Sequence, residues 1–428
     1  MTALPAATPL VARTVRVSDP GPLLALLPRE SPLAWVRRGE GLVGWGQAVR
    51  IPAPGGPGSG WFDRFTSAEQ TWHGLLRRAV IRDEVGVPGT GPVAFGSFAF
   101  SPDSPAGGVL IVPEVVVGHR DDQWWLTTIG TGAVLPSAGD RAPWPSPEPV
   151  SPPGQVTFAD GALSAPEWEA AVAEAIRRIT GGDLDKVVLA RDLEARSATP
   201  LDARWLLRRL ARRYPGTWTF SVDGLIGATP EMLVRRDKGM VTSRVLAGTI
   251  RRTGDDAHDL ALAGSLARSS KDLEEHEYAV RSVADALAPH CTSMNVPESP
   301  FVLHLANVMH LATDVTGVLR NGTTSLGLAA ALHPSAAVCG TPTPAAADLI
   351  AGIEAMDRDR YAGPVGWMDA SGDGEWGIAL RCGRLDDTDP HRIRLFAGCG
   401  IVAGSDPETE LAESAAKLLP MRDALTDG

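Results

Sequence analysis

The chain has 428 residues, 44% hydrophobic and 21% charged, which is the composition of a globular protein and not of a disordered one. Its formal net charge of −11 disfavours nucleic acid as a partner and gives no bulk attraction for an anion, so any anion site must be built locally from a few Arg and Lys residues. Cys291, Cys339, Cys382 and Cys399 lack zinc or CxxC spacing, the N-terminal MTALPAATPLVARTVRV holds no signal-peptide core, and no run reaches a membrane span. A cytoplasmic protein with reduced thiols and no membrane partner is expected.

In the first third, Leu33–Arg37 and Leu42–Val49 flank a glycine turn and read as a hairpin. Ala53–Gly60 reads as a loop, and a helix is predicted from Ser67 through Arg82. Val93–Phe100, Val109–Val117 and Gln123–Ile129 read as three further strands. Residues 1–150 are therefore expected to be a strand-rich scaffold belonging to the same fold as the rest.

Proline-rich residues 140–155 predict a stiff, extended linker, and residues 155–428 are expected to carry the chemistry. Ser164 and Glu167 form a capping-box pattern ahead of a helix that Gly181-Gly182 should stop. A strand follows at Asp185–Leu193, a helix at Ala203–Arg213, and a hairpin from Trp218–Val222 and Leu225–Arg235. Val241–Ile250 and Val308–Val318 read as strands, and Ser270–Leu287 as a charged helix. The last stretch predicts a helix at Pro344–Met356, then strands at Val365–Met368, Trp376–Arg381 and Ile393–Phe396. Gly398 and Gly400 read as a glycine-broken turn, and Ser405-Asp406-Pro407 as the start of a final helix. Hairpin-like pairs without a regular strand–helix–strand beat predict an α+β fold with a largely antiparallel sheet, or two packed sheets, and helices outside.

Several side chains could carry chemistry. Lys186 heads an apolar strand, where a lysine sheds its proton more easily than at its usual pKa of about 10.4; a snorkelling strand-end lysine is the plain alternative. Glu231, in Gly-Ala-Thr-Pro-Glu-Met, is a candidate general acid if its surroundings are apolar, and otherwise a turn residue facing water. Asp272 and Glu275 lie one helical turn apart and can hold magnesium or form a solvated acidic face. In the final helix Glu410, Glu413 and Lys417 share a face, although Glu413 and Lys417 also have the commonest spacing of a surface ion pair. His310 and Arg381 are candidate donors to a carboxylate, and Tyr361 opens a segment that forms either a pocket wall or plain architecture.

Taken in order, DKVVLAR (185–191), GATPEMLVRR (227–236), LAGTIRR (246–252), SSKDLEEHE (269–277) and HLATDVTGVL (310–319) resemble the chorismate-utilising enzymes. LHPSAAVCGTP (332–342), YAGPVGWMDASGDGEW (361–376) and AGCGIVAGSDPETELAESAAK (397–417) extend the resemblance to the end of the chain. Arg244-Val245 departs from it, since a proline is usual there. The family includes isochorismate, salicylate, anthranilate and aminodeoxychorismate synthases. It implies two packed, largely antiparallel β-sheets forming a β-sandwich core flanked by helices, with a magnesium-dependent site.

Within the family the resemblance implies isochorismate synthase, which adds water at C2 of chorismate and expels the C4 hydroxyl reversibly. It assigns Lys186 as the water-activating base and Glu231 as the acid. It makes Glu275 and Glu413 magnesium ligands, with Asp272 and Glu410 behind metal-bound water. Lys417 is expected at the ring carboxylate, Arg381 and the Gly398 and Gly400 amides at the enolpyruvyl carboxylate, and Gly248, Thr249, His310 and Tyr361 around the ring. Salicylate synthase, which goes on to eliminate pyruvate, is the alternative. Aminating enzymes fit less well, because Cys339-Gly-Thr-Pro-Thr343 stands where they show Ser-Gly-Ala-Pro-Lys, and no glutamine amidotransferase subunit is expected. A non-catalytic chorismate-binding descendant would be expected to have lost Lys186 or Glu231. Family precedent implies a monomer serving menaquinone or siderophore synthesis, with menaquinone favoured because no carrier domain is attached.

Overall fold

The computed structural model of the chain describes residues 9–132, 144–145, 148–304, 308–320 and 322–426, with the side chains of Thr249, Lys271 and Glu275 outside the description. Part of the expected linker (140–143 and 146–147) also lies outside it. Among the described residues, the strands form one sheet of thirteen and one of ten. Pairing is antiparallel except between Leu10–Arg16 and Val80–Asp83. At one end of the larger sheet, Val156–Asp160, Lys186–Ser197, Arg392–Ile401, Cys382–Leu385 and Leu225–Thr229 lie side by side. In the smaller sheet, Met240–Arg251 lies between Val308–Leu319 and Met232–Asp237, followed by Gly374–Ile378 and Pro364–Asp369. Strands from the first third of the chain complete both sheets.

The two sheets pack over a continuous core. Trp35 and Phe220 of the larger sheet and Phe95, Trp367 and Trp376 of the smaller one belong to a single buried cluster. Burying such rings supplies the main favourable term in folding. The Trp35 indole N–H donates to Glu375 at 2.8 Å across the sheets, so the polar edge of the ring is satisfied as well. A second cluster lies on the outer face of the larger sheet, where Leu206, Leu207 and Leu210 of the Ala203–Arg213 helix meet Leu418 and Met421 of the Pro407–Leu425 helix. All four cysteines are buried and free, and among the described residues no helix is long and apolar enough to cross a membrane.

The Ala203–Arg213 and Ser270–Leu287 helices have the expected bounds. The capping box at Ser164 forms, with Glu167 accepting from the Ser164 backbone N–H at 2.8 Å. Three runs that read as single strands instead change sheet. The first leaves the larger sheet at Trp45 and enters the smaller one at Val49, after Gly46 in the left-handed region (φ +70°). The second breaks at Pro113, giving Gly108–Val112 and Val115–Arg120. The third breaks at Pro230, giving Leu225–Thr229 and Met232–Asp237. Proline lacks the N–H that a continuing ladder needs, so each of the latter two breaks falls where pairing must stop.

Other expectations are corrected. The predicted Ser67–Arg82 helix runs from Asp63 to Leu76, and Val80–Asp83 pairs with Leu10–Arg16. Gly398 and Gly400 are not in a turn: both lie in the Arg392–Ile401 strand, opposite Ala190 and Val188. Arg381 lies beyond the Gly374–Ile378 strand in a left-handed conformation (φ +49°), sparsely populated for a residue with a side chain.

Candidate active site

A cavity of about 740 Å³ opens where the ends of the two sheets meet the Ser270–Leu287 and Pro407–Leu425 helices. Lys186 reaches it from the first residue of its strand, and the neighbouring strand makes room for it. A side-chain carbon at Gly400 would come within 3.0 Å of Lys186 Cε, and one at Gly398 within 3.0 Å of the Tyr361 hydroxyl. The two glycines thus keep the cavity floor open; they do not shape a turn. Tyr361 is buried and stacked on Phe396, with ring centroids 5.2 Å apart and planes 9° from parallel.

Glu231 lies at the third sheet crossing, directly after Pro230. Its backbone N–H donates to the Thr229 hydroxyl at 3.2 Å, and its carbonyl accepts from Ile378 N–H at 3.1 Å, which fixes the residue between the two sheets. With 9% of its surface exposed, its carboxyl is pushed up to about 7 by burial, against the opposing charges of Lys186, Lys417 and Arg381. Arg381 faces the same cavity and is lowered by burial. Among the described residues, no carboxylate lies within ion-pair distance of its guanidinium. Glu413 offsets part of the cost of burying this guanidinium, and an anion entering the cavity would offset more.

His310 and Gly248 close the ring side. Gly248 is the extra residue of a bulge, falling between the Ala247–Leu311 and Thr249–His310 pairs at φ +73°. A side chain there would also come within 3.1 Å of Asp272 Cβ, so glycine is required twice over. His310 is buried, hydrogen-bonded to the Gly248 backbone, and pushed down to about 4 by burial with help from Arg381 and Lys417, which leaves it neutral near pH 7.

The acidic side of the cavity is built by two helices. Asp272 and Glu274 come from Ser270–Leu287, and Glu410 and Glu413 from Pro407–Leu425, whose N-cap Asp406 accepts from Thr409 N–H at 2.9 Å. Glu410 accepts from the Ser405 hydroxyl at 2.8 Å. Burial raises the Glu413 carboxyl, but Lys417 and then Arg381 and His310 outweigh it, so the group is lowered overall and stays ionised. Lys417 pairs with Glu413 at 2.6 Å and donates to Gly398 O at 2.9 Å, so the surface-type ion pair does form, at the cavity wall. Donor atoms of Cys399, Glu410 and Glu413 lie within 4.8 Å of one another. Several carboxylates converging on one cavity suit a hard divalent cation.

The structure thus brings Lys186, Glu231, Gly248, Asp272, His310, Tyr361, Arg381, Gly398, Gly400, Glu410, Glu413 and Lys417 to one cavity. The side chains of Thr249 and Glu275, on which two expectations fall, lie outside the described residues. Sequence reasoning missed Glu274, Tyr278 and Arg358, which also line it. The helical spacing of Glu274 and Tyr278 could have revealed them as one face, whereas Arg358 carries no local signal.

A family profile described as chorismate binding enzyme matches residues 32–426. Isochorismate synthase DhbC of Bacillus subtilis is 41% identical over 271 residues, covering 60% of this chain and 67% of its own. The salicylate biosynthesis isochorismate synthase of Pseudomonas aeruginosa is 33% identical over 422 residues, covering 93% of this chain and 86% of its own. MenF, the menaquinone-specific isochorismate synthase of Escherichia coli, superposes with a TM-score of 0.80 at 23% identity, covering 99% of this chain and 96% of its own, which speaks to the fold.

Proposed function

The chain belongs to the chorismate-binding enzyme family, and on that premise we propose that it is an isochorismate synthase, converting chorismate to isochorismate reversibly. The observation that carries this reading is the pairing of unlike groups in one cavity: the Lys186 amine and a Glu231 carboxyl that holds its proton up to about pH 7. Adding water at C2 needs a base, and expelling the C4 hydroxyl needs an acid. In its neutral amine form Lys186 takes the proton from water and becomes the ammonium, and Glu231 delivers one to the departing oxygen as the ring double bonds shift. The atoms balance, since one water enters and one leaves.

Chorismate is a dianion, while this protein carries a net charge of −11. Binding therefore depends on local cations. Arg381 is matched to the enolpyruvyl carboxylate, because a guanidinium holds a carboxylate through two parallel hydrogen bonds. Lys417 faces the ring carboxylate, held in place by Gly398 O and Glu413. Neutral His310 offers the ring a hydrogen bond without adding charge. The described carboxylates Asp272, Glu410 and Glu413 fit a magnesium ion, with Glu413 as a ligand and Asp272 and Glu410 in support, and the reading keeps Glu275 as the second ligand by resemblance; when bound, the ion would offset the charge of the ring carboxylate. The same reading carries a monomer in the cytoplasm without an amidotransferase subunit, with residues 1–150 as scaffold and 155–428 as the catalytic region.

Two experiments test the assignment. Supplied with isochorismate and magnesium, the enzyme should form chorismate, because substrate and product are isomers with similar bonding; no chorismate would count against it. Lys186→Ala should abolish isochorismate formation while leaving the fold intact, and wild-type turnover in that variant would remove Lys186 from the mechanism.

A further inference from the structure

The strand that carries Lys186 has a gap along one side. Gly340–Thr341 pairs with it at Lys186 and Val187, and Val188 N–H donates to Cys339 O at 2.8 Å. Val156–Asp160 takes up the pairing only from Leu193 onward. Between them, the Val188 carbonyl and the Ala190 N–H and carbonyl on that side face the interior with no strand beside them. A buried backbone group left unpaired costs about 1–3 kcal/mol.

Two side chains just past the Thr343–Ile353 helix fill the gap. Ala190 N–H donates to Glu354 at 2.7 Å, and Arg358 Nη2 donates to Val188 O at 2.6 Å. Ala190 O accepts from the Trp168 indole N–H at 3.1 Å. Arg358 Nε donates to Glu354 at 2.8 Å, both side chains are only 2% exposed, and the guanidinium lies 4.2 Å over the Phe100 ring. Arg358 also donates through Nη1 to Val338 O at 2.8 Å, and Val338 lines the cavity. The carboxylate supplies the acceptor and the rigid guanidinium fork the donor that a missing strand would have supplied. Apolar residues could fill this volume but could not do both.

We infer that Glu354 and Arg358 are positioning residues for Lys186. They clamp the backbone at Val188 and Ala190 and tie it to the cavity wall at Val338. The end of the strand bearing Lys186 is therefore held at a fixed distance from bound substrate. This rests on Lys186 being the base.

The test uses the full-length enzyme with Arg358→Lys, which keeps the charge and loses the fork, and Glu354→Gln, which keeps an acceptor for Ala190 and loses the ion pair. Phe100→Leu, which removes the ring beneath the guanidinium together with its contacts to Trp61 and His333, is a milder third probe. Steady-state kinetics with chorismate and magnesium are run beside the rate at which an amine-reactive reagent labels Lys186, read by peptide mass. Misplacing the base should lower kcat by about ten- to hundredfold with KM for chorismate little changed, and should alter the Lys186 labelling rate. Wild-type kcat and labelling in every variant that folds, with only a lowered Tm, would overturn the inference. A raised KM with unchanged kcat would also overturn it, since the pair would then be acting on substrate binding. Lys186→Ala separates the two levels: full turnover there defeats the role of Lys186, whereas lost turnover there beside normal kcat in Arg358→Lys defeats only the positioning.

Discussion

Replacing Glu231 by Gln removes a buried carboxyl and leaves a neutral side chain of nearly the same shape. Burial raises the wild-type carboxyl from 4.5 to about 7. At 1.36 kcal/mol per pH unit, the folded state is thereby disfavoured by about 3 kcal/mol once the group is ionised in both states. The sign follows from the folded value lying above the unfolded one. Below pH 4.5 the group is protonated in both states and contributes nothing. Between 4.5 and 7 only the unfolded chain loses the proton, so wild-type stability falls, and above 7 the cost is complete. Denaturant unfolding of both proteins in metal-free buffer should show Glu231→Gln gaining about 2–3 kcal/mol on wild type between pH 5 and pH 8. Taking the difference between the two pH values cancels any fixed cost of the amide. The variant should also lose turnover by about 10²–10⁴-fold through loss of the acid. An unchanged stability difference at the two pH values would refute a buried, protonated Glu231.

Three further outcomes are expected. Arg381→Lys retains charge but not the paired hydrogen bonds to a carboxylate, so kcat/KM for chorismate should fall about tenfold or more, with thermal unfolding showing the fold intact. Gly400→Ala places a carbon 3.0 Å from Lys186 Cε and should lower kcat by about a hundredfold with little change in Tm, because the flexible lysine can shift aside. Chelating magnesium should abolish turnover and restoring it should recover activity, and Glu413→Gln should raise the magnesium concentration needed for half-maximal rate.

The sequence carried the local chemistry well and the long-range geometry poorly. The Ala203–Arg213 helix and the Ser164 capping box were legible because spacing and caps act within a few residues. The sheet changes near Gly46, Pro113 and Pro230 were not, since an apolar run looks the same whether its halves pair in one sheet or in two. This matters most at Glu231, whose buried position follows from being at a crossing and not in a hairpin. In sequence Gly398 and Gly400 read as a turn, because glycine breaks local patterns. Their actual use, leaving room for Tyr361 and Lys186, depends on contacts far away in the chain. Arg381 is expected from the sequence to need a partner; the structure buries it in the cavity, and which group pairs with it depends on the anion that enters. Glu354 and Arg358 were invisible for the same reason as the sheet changes: the backbone gap that they fill arises only when three distant segments assemble.

The central claim is tested most directly by incubating the purified enzyme with chorismate and magnesium and separating the products. Isochorismate alone, in equilibrium with remaining chorismate, is the predicted result. Salicylate with pyruvate, an aminated product when ammonia is supplied, or no turnover at all would contradict it.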